Sequence, residues 1–188
     1  MKRCEWSTSK EIYIDYHDNE WGRPVHDDQK IFEAIILDTF QAGLSWIIIL
    51  QKRENFRLAF DYFDANKIAS YTEEKVQALC QDKGIVRNQL KIRAAVTNAQ
   101  AFLELQREFG SFDQYIWQFT DHKTIHNKWT SMSQIPASTT ESDVMSLDLK
   151  SRGFKFVGST ICYAFMQAIG MVNDHLTDCI VYKEVRSS

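Results

Sequence analysis

Proline and glycine are scarce in this chain, two and seven in 188 residues. A β-rich protein, which needs a tight turn after every short strand, would use more of both, which argues against an all-β fold. No apolar run reaches membrane-spanning length, and the opening MKRCEWSTSK lacks the apolar stretch of a signal peptide. The expectation is a cytosolic protein with no membrane partner. Charge of one sign is not in excess either: the net charge of −3 argues against a basic coat that binds nucleic acid indiscriminately. Local clusters remain at Lys52–Arg53, Arg87–Lys91–Arg93 and Lys150–Arg152–Lys155, each of which alone reads as a solvated helix face. Four cysteines in a reducing compartment are thiols or metal ligands rather than disulfides. What the chain does have is rings. Aromatic residues make up 13%, with five tryptophans, enough either for a pocket that stacks planar ligands or for a well-filled core.

The length fits a single domain over residues 1–188, or two small lobes sharing a cleft. Most segments read as helix, so the expected class is all-α. Asp27 or Asp28 can cap a helix whose side carries Ile31, Ala34, Ile35 and Asp38 at i, i+3, i+4, i+7, an apolar stripe that ends on an acid. Gly43 breaks it, and LSWIIILQKRENFRLAFDYF resumes, apolar nearly all round at Ile47–Leu50 and so expected to be buried. Thr72 caps TEEKVQALC, and a long helix follows with the stripe Ile92, Ala95, Val96, Ala99, Phe102, Leu103. The stretch 122–140 reads as a surface loop, and YIDYHDNEWG, residues 13–22, as an aromatic-acidic loop with no helical stripe.

Near the end, ESDVMSLDLKSRG and STICYAFMQAIG are two helices joined by GFKFVG, a helix-hairpin-helix unit at about 141–170. The second helix begins at Ser159–Thr160, just after Gly158, so its free N–H groups and positive dipole end can seat a phosphate beside Lys150, Arg152 and Lys155. A plain helical hairpin of the core explains the same spacing. Cys4 and His17 near the start, with His175 and Cys179 near the end, supply two thiolates and two imidazoles. Those four would close a tetrahedral structural zinc site and clamp the termini together. His175 and Cys179 are spaced i, i+4, one face if that segment is helical. A surface histidine among scattered cysteines is the competing account.

CEWS, YIDYHDNEWG, QAGLSWIIILQKRENF, GIVRNQLKI, IPASTTESD, RGFKFVGSTICYAFMQAIGMVNDH and HLTDC run in order from Cys4 to Cys179 and together resemble the bacterial 3-methyladenine DNA glycosylase I family. The resemblance implies an all-α helix-hairpin-helix fold, removal of 3-methyladenine from alkylated double-stranded DNA, and one structural zinc on Cys4, His17, His175 and Cys179. It also implies a base pocket walled by Trp6, Tyr13, Tyr16, Trp21 and Trp46, with a carboxylate at position 38. The family has glutamate there, whereas this chain has the shorter Asp38.

The chemistry stands apart from the resemblance. A base inside a duplex must be flipped out to be reached, at a few kcal/mol of unstacking. 3-Methyladenine on its sugar is a cation, which Tyr16 and Trp46 can hold by stacking and cation–π attraction while Asp38 accepts hydrogen bonds from its edge. Being a good leaving group, it needs no strong base. Related glycosylases carry an Asp where Val172-Asn173-Asp174-His175 has Asn173, and lyase members carry a lysine where this chain has Thr160, so a monofunctional glycosylase is expected. Leu44, after Gly43, can wedge into the gap left by the flipped nucleotide, or can start a helix as an ordinary core leucine. Two rivals stay open: a non-catalytic reader of alkylated or abasic DNA, motivated by Asp38 and Asn173, and a zinc-stabilised helical interaction domain. With no exposed apolar stripe, a monomer is expected. Cys80, Cys162, His26, His122 and His126 receive no role.

Overall fold

The computed structural model describes residues 2–187. Its first helix, α1 (Glu11–Asn19), overturns the reading of residues 13–22 as a loop. No apolar stripe betrays it because its buried side carries adjacent Tyr16 and His17, one among aromatic rings and the other among thiols. Helix α2 (Asp28–Gln41) begins as expected, with the Asp27 carboxylate accepting from the Lys30 N–H at 2.9 Å. Gly43, at φ +78° in the left-handed region that glycine tolerates, turns the chain into α3 (Trp46–Ala59). Of the four residues expected to be buried there, Ile49 and Leu50 are, while Ile47 and Ile48 are half-buried because only one side of that first turn is covered.

Short α4 (Ala65–Ala69) and Thr72-capped α5 (Glu73–Gln81) lead to α6 (Gln89–Phe109), capped by Asn88. Ile92, Ala95, Ala99 and Phe102 of the predicted stripe are buried, and α4 packs along the same helix. After α7 (Phe112–Trp117), the stretch read as a surface loop does lie at the surface, with no residue of 122–140 buried, but it is tied down. Its strand β1 (Ile125–His126) pairs in parallel with β2 (Val172–Asn173), in the register Ile125↔Val172. The Thr177 N–H also donates to the Trp129 carbonyl at 2.9 Å. This two-residue pairing is a small addition to a helical fold. Between β2 and α10 (Ile180–Ser187), His175–Cys179 form a turn rather than the helix their spacing allowed.

The hairpin unit is α8 (Thr140–Ser151), a turn over 152–158, and α9 (Ser159–Ala168). Buried Asn98 on α6 clamps that turn from both sides: its Oδ1 accepts from the Lys155 N–H at 2.8 Å and its Nδ2 donates to the Lys155 carbonyl at 3.1 Å. The Ser146 hydroxyl donates to the Val157 carbonyl at 2.6 Å, and Phe154 and Val157 are buried beneath. Two apolar clusters result. The larger is built on α2, α6, α7, α8 and α9; the smaller joins Tyr16 and Trp21 to Leu176, Val181 and Val185, and Trp46 packs against both.

An Asn98→Ala substitution leaves the Lys155 N–H and carbonyl without their side-chain partner. It should cost about 1–3 kcal/mol in urea unfolding. An unchanged midpoint would show that the clamp contributes nothing.

Candidate active site and metal centre

Where the two clusters meet, a cavity of about 300 Å³ opens between α1, α2, α3 and α9. Trp6, Tyr13, Tyr16, Trp21, Trp46 and Asp38, all six of the residues expected to form a base pocket, line it. Trp6 touches Tyr13 edge-on at 5.5 Å and Trp21 at 5.1 Å between ring centroids, and Tyr16 lies 5.5 Å from Trp46 at a tilt of 51°. The rings brace one another, so the pocket exists without a ligand to shape it. Asp38 is 3% exposed, and its Oδ2 is buried with no hydrogen-bond partner. Burial pushes its carboxyl well above the usual carboxylate range. Trp46 Nε1 is likewise buried and unbonded. A wall with an idle acceptor and an idle donor among aromatic faces is suited to a planar, polar-edged, cationic ligand.

The cysteines and histidines meet directly behind this wall. The ligand atoms of Cys4, His17 and Cys179 lie within 4.8 Å of one another, and all three residues are buried. The His175 ring packs edge-on against His17, with centroids 4.9 Å apart, and its buried Nε2 has no partner. Both imidazoles are oriented from behind. His17 Nδ1 meets Asp18 Oδ1 at 2.7 Å, and His175 Nδ1 meets Asn173 Oδ1 at 3.0 Å, which leaves Nε2 as the ligand atom of each, that of His17 facing Cys179 Sγ at 3.5 Å. Burial lowers His175 to about 4, so it is neutral, the form that binds metal. The hydrogen bond from Cys4, with His17 adding to it, lowers Cys179, while Cys4 is pushed up. Two soft sulfurs and two imidazole nitrogens, one of them orphaned, fit a tetrahedral metal site. Gly22 is needed here, since a Cβ on it would lie 2.8 Å from the His175 ring.

The residues expected to touch DNA are separated by function. Gly43 is exposed, and Leu44 is half-buried against the larger cluster. Buried Lys91 holds the loop before them by donating to the Phe40 carbonyl at 2.8 Å and to the Ala42 carbonyl. On the hairpin, Lys155 and Thr160 are exposed, Gly158 and Ser159 half-buried, and no side chain caps the start of α9. Arg152 is a correction. Its guanidinium bonds Asp148 and Glu108, each at 2.8 Å, and lies over the Phe109 and Tyr115 rings, so it is not offered to a phosphate. Sequence reasoning missed Asp18 and Asn173 as supports of the histidines, although both lie within two residues of them. It also gave Glu20 no task; Glu20 accepts two bonds from Arg53, at 2.6 and 2.8 Å, and fixes α1 on α3.

The Asp38 environment carries a signed pH prediction. A raised carboxyl means that the folded protein holds this proton more tightly than the unfolded chain does. Its contribution is complete below about pH 4 and is lost as pH rises toward the raised value. Asp38→Asn should therefore melt at a higher temperature than the parent at neutral pH. The gap should close as pH falls toward about 4, and a gap independent of pH would contradict this account.

The methyladenine glycosylase family profile matches residues 6–182. DNA-3-methyladenine glycosylase 1 of Escherichia coli (strain K12) is 50% identical over 182 residues, which span 97% of each chain. DNA-3-methyladenine glycosylase of Haemophilus influenzae is 48% identical over 94% of this chain and 96% of its own. A crystal structure of a 3-methyladenine DNA glycosylase I superposes with a TM-score of 0.93 at 49% identity, covering 95% of this chain and 98% of that one. A match this long, with braced rings and a buried acid at its centre, leaves one assignment: the chain belongs to the methyladenine glycosylase family.

Proposed function

We infer that this protein excises 3-methyladenine from alkylated DNA, as a hydrolase of the N-glycosidic bond acting in base excision repair. The observation that carries the reading is the buried, unpartnered Asp38 carboxyl inside the ring of Trp6, Tyr13, Tyr16, Trp21 and Trp46. A carboxyl in that position lacks a cation with N–H groups, and 3-methyladenine on its deoxyribose is such a cation. Its exocyclic amine donates to Asp38. The faces of Tyr16 and Trp46 attract the delocalised charge. Neutral adenine gains less from the same groups, which is the source of selectivity.

The protein's part in the reaction is to hold the flipped base. The bond between C1′ and the base breaks with its electron pair going to the base nitrogen, which turns the cation into neutral 3-methyladenine. Water adds to C1′ and gives its proton to solvent. Thr160 stands where a Schiff-base lysine would be needed, so the strand is left intact and the enzyme is monofunctional. Lys155 with the first N–H groups of α9, from Gly158 through Ser159 and Thr160, would grip a backbone phosphate of double-stranded DNA. Leu44, presented by Gly43, would fill the gap in the stack. Cys4, His17, His175 and Cys179 would hold one zinc ion, which when bound supplies a structural cross-link and no chemistry at the base. The unit is read as a single-domain monomer over residues 1–188 that acts in the compartment holding the DNA, the bacterial cytosol.

Incubation with methylated duplex DNA should release 3-methyladenine, and Asp38→Asn should lower the rate about 10- to 100-fold by removing a charged hydrogen bond. Asp38→Glu, which restores the reach of the family's acid, should match or exceed the parent rate. Tight binding of the duplex without release would instead make the protein a reader of damage. Metal analysis should find about one zinc per chain, lost in Cys4→Ala.

A further inference from the structure

Asp174 is buried at 0% exposure, and four donors converge on its two oxygens. Asn127 Nδ2 donates to Oδ1 at 2.7 Å and Trp129 Nε1 at 2.8 Å; the Tyr163 hydroxyl donates to Oδ2 at 2.6 Å and Gln167 Nε2 at 2.8 Å. The indole N–H can only donate, and a carboxylate can only accept. Gln167 must therefore give its NH₂ group to Asp174, which decides the orientation of its amide. The other branch of that amide is the Oε1 acceptor. Gln167 lines the aromatic pocket, and no donor among the described residues bonds this oxygen. Gln41 is the other glutamine of the pocket wall, but its amide is held only by the Leu44 carbonyl, on the loop that follows Gly43.

We propose that Gln167, oriented by the Asp174 network, reads the hydrogen-bonding edge of the base as a fixed acceptor and so favours an adenine edge over a guanine edge. The proposal rests on the reading of the cavity as a base pocket and deepens it. Adenine places at its six position an amino group with two N–H donors, one for Asp38 and the other for Gln167, where guanine places a carbonyl oxygen. Against the Gln167 oxygen the first makes a bond; the second sets two acceptors face to face, and the amide cannot turn to relieve them without leaving Asp174 one donor short. Asp174 is a positioning residue, acting only through Gln167.

The test uses the whole protein and one methylated duplex substrate from which 3-methyladenine and 3-methylguanine are quantified together. Gln167→Leu should lower kcat/KM for 3-methyladenine about tenfold or more while 3-methylguanine stays within about threefold of the parent, so their ratio collapses. Asp174→Asn, which frees the amide to turn, should shift the ratio in the same direction. A purely structural loss would lower both bases in proportion, and that result overturns the proposal. Tryptophan-fluorescence titration with each free base measures the preference apart from catalysis. If the parent releases no base yet binds 3-methyladenine over 3-methylguanine, and Gln167→Leu erases that preference, excision fails and the edge reading stands. A parent without any preference between the two bases overturns it.

Discussion

The meeting of Cys4 and His17 with Cys179 and His175 governs the working half of this protein. Trp6, Tyr13, Tyr16 and Trp21, four of the five rings around the pocket, come from the segment that also carries Cys4 and His17. A metal held between the two ends would make the position of those rings a consequence of coordination geometry rather than of apolar packing alone. Gly22 is part of the same constraint, because the chain there passes too close to His175 for any side chain.

The pocket works against the stability of its own fold. A buried carboxyl and a buried indole N–H without partners are both unfavourable, and neither would survive in a core selected only for packing. They are tolerated because the neighbouring rings are already braced by one another, so the walls do not collapse to satisfy Asp38. The unpaired acid and the rigid aromatic frame thus belong to one design, in which a cationic base would supply what the protein leaves out.

Around both centres the supporting groups are polar and hydrogen-bonded, and all but partly exposed Asp18 are buried. Asp18 and Asn173 set the histidines, Asp174 sets Gln167, Asn98 sets the hairpin turn and Lys91 sets the loop before Leu44. Each converts a rotatable group into a fixed one, which is what recognition at a defined geometry requires. The buried Asp174, which binds four donors, also gives a physical task to the run Val172–His175, where an acid was looked for one residue earlier at Asn173.

Local signals carried far in this chain. Caps at Asp27 and Thr72, the glycine break at position 43 and the stripe along residues 92–102 were all legible, because helix ends and apolar faces depend on neighbours in sequence. The zinc-type donors could be chosen by chemistry, and the pocket rings through resemblance. Helix α1 was not legible, since its buried side is defined by a metal-type cluster and a pocket instead of an apolar period. Nor was the role of Arg152, whose carboxylate partners Glu108 and Asp148 meet it only when α6 and α8 are packed. Residue types, caps and spacings were thus determined by the sequence itself. Which acid stays unpaired, which amide is locked and which ends meet were decided by the tertiary structure, because burial and hydrogen-bond partners are properties of residues far apart along the chain.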